Sequence, residues 1–529
     1  VCKYMEDVYQ VDDFYNVGNR GNGMDPITSF GVMTPHKEQI KFCSYVKLTD
    51  IKLIESSKIT CQYNVSVSYN NVYMLKQEGD YFIPPPLKIL SFDIETIGTD
   101  PNEGQVIQIG CCLKDDKKLQ NVIFVLGTCE GVEDTQVFCF KTEEEVLKAF
   151  TKFVRLSDPD ILSGYNIDGF DLYFILERAK SLSIEDEVSL LGCDGKQCRC
   201  HEMMSGSKQQ GYKSKKTTQI NGRIDLDVFV VIDSIYKTIL DCRLTLDSVS
   251  RHFLKNDQKD DVHWQEIKPL QEGSDADRAK LAKYCVKDCI LPIKLIENRD
   301  LLNFYIGQSK LTGTPMNKII GRGQGFKIGV LFNHYIKKRH LILKWNKGRS
   351  LKESVTGATV LDTIKGLWTD IFTMDFASLY PSIMRGENLC ISTFLFGVNS
   401  NQAQLPYGLK EHQVVRFDGI GVFVKKEVRE GFMPQMLAML YNARKDAKRE
   451  MNRTTGVIKS NWNALQLALK IVMNSVYGGT IDMNSSWANY IIGAAVTFVG
   501  RRMIKELQRY MNEKRFIDVD LIKRVKEME

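Results

Sequence analysis

Hydrophobic and polar positions divide the chain into zones of different period. From Leu87 the run "LKILSFDIE" and then "QVIQIGCCL" are almost continuously apolar, as buried strands are. The period then becomes helical in "EEEVLKAFTKFVRL" and again in "FDLYFILERAKSL". Strands alternating with helices predict an α/β domain, closed by a long helix from about Ser274 to Leu302. Before it, "YFIPPPLKIL" marks a boundary, since three prolines fit neither a helix nor a central strand. Residues 1 to about 85 mix short strand-like runs with loops. The polar, basic stretch 193–222 interrupts the α/β pattern and predicts a long hairpin or a flexible loop. From about Gly366 a second region opens with strands, and "FTMDFASLYPSIM" puts Asp375 at the end of one, just before a helix. Two strongly helical stretches follow, "PQMLAMLYNARKDAKREM" and "SNWNALQLALKIVMNSVYG". Their short connector, "NRTTGVIK", predicts an antiparallel helical hairpin.

Composition narrows the class. The 529 residues are 43% hydrophobic and 26% charged, ordinary for a folded multidomain protein. A net charge of +6 fits a polyanionic partner. No apolar run reaches the roughly 18 residues that cross a bilayer, so no membrane role is expected. Fourteen cysteines without framework spacing read as reduced thiols, which places the protein inside a cell. Cys193, Cys198, Cys200 and His201 cluster in "GCDGKQCRCH". Their spacing is not a standard pair of zinc hooks, and a solvent-exposed loop is the expectation. The first residue is Val1 and no signal peptide is present, so an internal piece of a longer protein is expected.

Candidate chemistry lies in both zones. Asp93 and Glu95 are two apart on a strand and share a face. Carboxylates so placed repel unless a divalent cation lies between them; a strand end entering a polar turn is the plain alternative. Asp171 opens a helix, where the dipole favours a carboxylate in a capping role; Asp168 is assigned to capping or the surface. Tyr284 and Asp288 are four apart on one helix face. In the helical hairpin, Arg444 and Lys448 form one stripe and Lys470, Asn474 and Tyr477 another. Lys470 lies in a mostly apolar helix and needs an anionic partner or a route to solvent.

The series D-x-E, N-x3-F-D and Y-x3-D resembles the proofreading 3′–5′ exonucleases with four acids and a tyrosine. "DFASLYPSIM", "RKDAK" and "KIVMNSVYGG", with "RGQG" at 322–325 and "VKKEVREGFMP" at 424–434, resemble the motifs of family B DNA polymerases, delta-type members and those of large DNA viruses included. The resemblance implies an α/β, α+β multidomain chain: an RNase H-like exonuclease plus an incomplete right-hand polymerase of palm and helical fingers. The implied domains are a partial N-terminal domain at 1–86, the exonuclease at 87–300 and a linker returning to the N-terminal domain at 301–355. A first palm segment follows at 356–432, the fingers hairpin at 433–480, and the start of a second palm segment at 481–529, with the thumb missing.

It implies Mg2+, two ions per active site, held in the exonuclease by Asp93, Glu95, Asp171 and Asp288, with Tyr284 orienting a water. Asp227 in "GRIDLDVF" is a weaker candidate. Asp375 would hold the polymerase metals, and Tyr380, beside Leu379, would pack under the deoxyribose. Arg444, Lys448 and Lys470 would grip the phosphates of a deoxynucleoside triphosphate, Asn474 would help position them, and Tyr477 and Gly478 would lie against the nascent base pair. Implied partners are primer-template DNA, single-stranded DNA and a sliding clamp or other processivity factor, in the nucleus or at a viral replication site. The sequence departs from the family at Gly479, where members carry an aromatic or aliphatic residue, and in "VTGAT" at 355–359, where they read Y-x-G-G. The second polymerase carboxylate normally comes from D-T-D; Asp518 and Asp520 offer D-V-D, and a surface segment or the start of an insertion is expected there instead. A free-standing exonuclease leaves "DFASLYPSIM" without a job. A catalytically dead nucleic-acid scaffold leaves four clustered acids without one.

Overall fold

A computed structural model describes residues 43–513, apart from 56–58, 61–62, 77–78, 208–210, 238, 241, 256–261, 339–355, 363–364, 368, 370, 372, 398–404, 406–407 and 483–486. Asp518 and Asp520 lie outside the described residues. The chain forms two compact units. The first holds the described residues up to Lys310 together with Thr314–Arg322, and the second holds Leu311–Gly313 and the described residues from Gly323 on.

The first unit opens with two small antiparallel ladders, β1 (Val46–Leu48) with β4 (Val72–Met74) and β2 (Lys52–Leu53) with β3 (Val65–Ser66). Its centre is a six-stranded mixed sheet built from β5 (Ile89–Ile97), β6 (Gln105–Asp115), β7 (Lys118–Leu126), β8 (Thr135–Phe140), β9 (Ile161–Gly164) and β12 (Ile224–Asp227). The strand order is β12-β9-β5-β6-β7-β8. Leu90, Phe92 and Ile94 of β5 face a core shared with α1 (Glu143–Ser157) and α2 (Asp171–Ser181). A capping box starts α1: Thr142 accepts the Glu145 N–H while Glu145 reaches back to the Thr142 N–H. A buried ion pair, Arg178 to Glu143 at 2.9 Å, ties α2 to α1, and Glu143 also accepts the Val106 N–H at 2.7 Å.

Short α3 (Glu185–Val188) leads to β10 (Arg199–Ser207) and β11 (Gly211–Gln219), which pair antiparallel, so the basic stretch is a hairpin. It is docked rather than merely solvated, with the Lys216 ammonium over the Tyr173 ring of α2 at 3.2 Å. The expected exposed cysteine loop is corrected as well. Cys193 and Cys198 are buried, because Cys198 and the partly buried Cys200 pack into the sheet–helix core.

Then come α4 (Val228–Tyr236), α5 (Leu246–Leu254) and α6 (Ile267–Glu272). The long helix α7 (Asp275–Asn298) is capped by Ser274 and lies on the opposite face of the sheet from α1. α8 (Leu301–Thr312) and α9 (Met316–Gly321) follow.

The second unit comprises α10 (Gln324–Lys338), α11 (Leu379–Gly386), β13 (Phe394–Gly397), β14 (Val414–Phe417), β15 (Gly421–Val424), α12 (Phe432–Arg453), α13 (Gly456–Ile481) and α14 (Tyr490–Glu513). One core joins its helices to the sheet β13-β15-β14. The expected helical hairpin is α12–α13, with a connection of only Thr454 and Thr455, tighter than the sequence implied. The strand expected before Asp375 falls partly outside the described residues, at 368, 370 and 372; the described residues between 365 and 376 contain none.

Candidate active site

The acids of the first unit are placed by strand length and helix packing. Alternation along β5 turns Asp93 and Glu95 away from the Phe92 core and toward α7. Parallel β9 pairs with β5 only from Ile89 to Ser91, so the edge of β5 is open beyond it. Asp171, the first residue of α2, fills that edge by accepting the Ile94 N–H at 3.1 Å. Phe170, not Asp171, holds the N-cap position and makes no side-chain cap. Asp171 is turned onto the strand, and it is 3% exposed. Burial, then the charge of Asp93, raises its pKa well above the ordinary carboxylate range.

Across the crevice, α7 approaches closely because β6 carries Gly110 opposite Asp93. A Cβ at Gly110 would sit 2.8 Å from the Cys285 sulfur and 2.9 Å from that of Cys289. With α7 seated, Tyr284 and Asp288 are both buried on it, one turn apart. Asp93, Glu95 and Cys285 offer ligand atoms all within 4.8 Å of one another. The Cys285 thiol is pushed far up, chiefly by burial and then by its bond with Cys289, so it stays a protonated wall. The ligands left are hard carboxylate oxygens, two of them drawn together and a third, Asp171, strained by burial and by the charge of Asp93. Such a donor set fits a divalent cation of the magnesium type. Cys193, Cys198, Cys200 and His201 form no comparable set among the described residues.

Two nearby acids have structural work. Asp168, expected at the surface or as a cap, is buried and accepts the Thr218 N–H of β11 at 2.8 Å. Asp227 ends β12 and caps α4. Its Oδ1 accepts the N–H of Asn166 at 2.8 Å and of Phe229 at 2.9 Å, and its Oδ2 that of Asp168 at 3.3 Å. Burial raises its pKa to about 6 despite those bonds. It fixes the turn leading to Asp171, and its charge adds to the rise in that acid's pKa. Sequence reasoning missed Gly110 and the Arg178–Glu143 pair. A glycine inside the apolar run "QVIQIGCCL" was the available signal of close backbone approach.

In the second unit, Asp375 is exposed just ahead of α11. Leu379 packs into the core, and the Tyr380 ring meets that of Tyr477 on α13 at 4.4 Å between centroids. Burial, then Tyr380, raises the Tyr477 phenol's pKa. Lys470, Asn474 and Gly478 share an exposed stripe of α13, so Lys470 reaches solvent and needs no buried partner. On α12, Lys448 is exposed, and the half-buried Arg444 has its Nε enclosed without an acceptor among the described residues. Gly479 answers the departure noted above: a Cβ there would run into the Trp487 ring, which stacks on Phe332 at 4.6 Å.

Residues 31–249 match the exonuclease domain of DNA polymerase family B, and residues 314–528 match DNA polymerase family B. The DNA polymerase delta catalytic subunit of Schizosaccharomyces pombe is 38% identical over 477 residues, covering 86% of this chain and 42% of that protein. That of Caenorhabditis elegans is 36% identical over 504 residues, covering 92% and 45%. The chain thus spans less than half the length of these relatives. The family B DNA polymerase of the archaeon Pyrobaculum calidifontis shares the fold, with a TM-score of 0.68 at 23% identity over 90% of this chain and 56% of that one.

Proposed function

The chain belongs to family B of the DNA polymerases, and from that premise we propose that its first unit is a 3′–5′ exonuclease editing the strand that its second unit helps to extend in DNA replication. The observation that carries the editing half is the meeting of Asp93 and Glu95 within 4.8 Å, beside an Asp171 whose proton affinity is raised by burial and by Asp93. Asp93, Glu95, Asp171 and Asp288 would hold the metal, magnesium by the hardness of the donors. When bound, two such ions activate a water and stabilise in-line displacement at phosphorus. The Tyr284 hydroxyl orients that water, and the apolar packing of Ile107, Leu270 and Leu281 around its ring keeps it in place.

The synthetic half rests on fewer contacts. Asp375 would contribute a polymerase carboxylate. Tyr380, braced by Tyr477, would lie beneath the sugar and disfavour a ribose. The enclosed Nε of Arg444 marks a donor for a triphosphate oxygen, with Lys448, Lys470 and Asn474 facing the same ligand. Substrates are then single-stranded and primer-template DNA and deoxynucleoside triphosphates.

The test is magnesium-dependent release of nucleotides from the 3′ end of a labelled single strand. Asp93→Ala or Asp288→Ala should nearly abolish it, and Tyr284→Phe should lower it less. Full activity in Asp93→Ala would sink the assignment.

A further inference from the structure

The first unit exposes a large aromatic side chain on a turn whose flanking residues pack against the small core that contains Tyr284. Trp264 is 71% exposed, on a 3-10 turn, Trp264–Glu266. The turn is not loose. His263 caps it, Nδ1 accepting the Gln265 N–H at 3.4 Å, and its ring lies against the indole with centroids 5.7 Å apart. Val262 before the turn and Ile267 after it both pack into the small core that contains Tyr284. Glu266 reaches Lys280 of α7 at 4.0 Å, one turn ahead of Tyr284. The bracket carrying the indole is therefore fastened at both ends to the small core that holds Tyr284, the residue assigned to orient the water. On α7, Lys280, Lys283 and Lys287 follow at i, i+3 and i+7, one step round the helix from Tyr284 and Asp288. A cationic stripe and a rigid aromatic plane beside a phosphodiester-cleaving crevice are the two components of a single-strand track, one for phosphates and one for bases.

We propose that Trp264 is a positioning residue of the exonuclease, a platform on which a base of single-stranded DNA stacks while the 3′ end lies among the acids. The proposal rests on the exonuclease reading and adds the surface that receives its substrate. Stacking on a flat ring is indifferent to base identity, as an editing site requires, but it demands an unpaired base.

The test uses the 529-residue chain with a short oligothymidylate. In EDTA, where no cleavage occurs, the oligonucleotide should quench tryptophan emission, and Trp264→Phe should remove most of that quench. With magnesium, Trp264→Ala should raise KM for single strands by about 5- to 100-fold, the equivalent of losing one stacked base, with kcat changed by no more than about twofold. Trp264→Phe should restore KM toward the parent value, and an oligonucleotide with abasic sites near its 3′ end should erase the difference between Trp264→Ala and parent. An unaltered quench in Trp264→Phe, or an unaltered KM in Trp264→Ala, overturns the proposal while leaving the exonuclease intact. A parent chain without nuclease activity fails the exonuclease reading instead, and the quench in EDTA still decides whether Trp264 meets DNA.

Discussion

Asp227, a weaker candidate by sequence, has structural work that no spacing announces. Three backbone N–H groups converge on its carboxylate, yet its burial is deep enough to bring its pKa to about 6. Because the folded state holds this proton more tightly than the unfolded chain, the linked stability is complete below the unfolded pKa, near pH 4, and is lost as pH rises through about 6. The loss is on the order of 3 kcal/mol for a shift of about two pH units. Asp227→Asn should flatten this window in denaturant titrations at pH 4 and pH 7. It should also lower stability throughout, since an amide has one acceptor oxygen where the carboxylate has two. Spacing alone put Asp93 and Glu95 on one strand face and Tyr284 and Asp288 on one helix face; grouping Asp93, Glu95, Asp171 and Asp288 as one set came from the resemblance to the exonucleases. The burial of Asp168 was not legible, because its partner Thr218 lies 50 residues away on a hairpin no local pattern positions.

Among elements, the decisive contact is α7 against the central sheet. Both were expected from the sequence, one as an apolar run and the other as a long helix closing the domain. Their distance apart was not, since it depends on Gly110. Gly110→Ala should push α7 outward, destabilise the first unit by about 1–3 kcal/mol and lower nuclease activity, although no acid is touched. Thermal melting beside a single-strand cleavage assay would separate the two effects. Gly479→Ala should do comparable damage to the second unit through Trp487, and Trp487→Leu should relieve some of it.

At the scale of the whole molecule, the mixed sheet with its flanking helices and the helical unit have separate cores. Calorimetry should resolve two transitions. Phe92→Ala should lower one and Met473→Ala the other, by amounts on the order of 2–5 kcal/mol. The order of elements, strands with helices and then a helical hairpin, was readable in advance because periodicity is local. The division near residues 310–323 lies within the 301–355 segment that the resemblance implied as a linker, but its exact place is set by contacts rather than composition. The cysteines supply an independent gauge of that division. Among the described residues, Cys111, Cys112, Cys193, Cys198, Cys285 and Cys289 are buried in the first unit, whereas Cys390 alone is buried in the second. Those six thiols are shut away from any alkylating reagent until their own unit opens, and two of them, Cys285 and Cys289, lie beside Asp93. Mass increments in a timed alkylation would therefore act as a stopwatch for each half of the chain. A burst of six labels records one half opening and a single label records the other, with magnesium slowing the first clock and leaving the second to run.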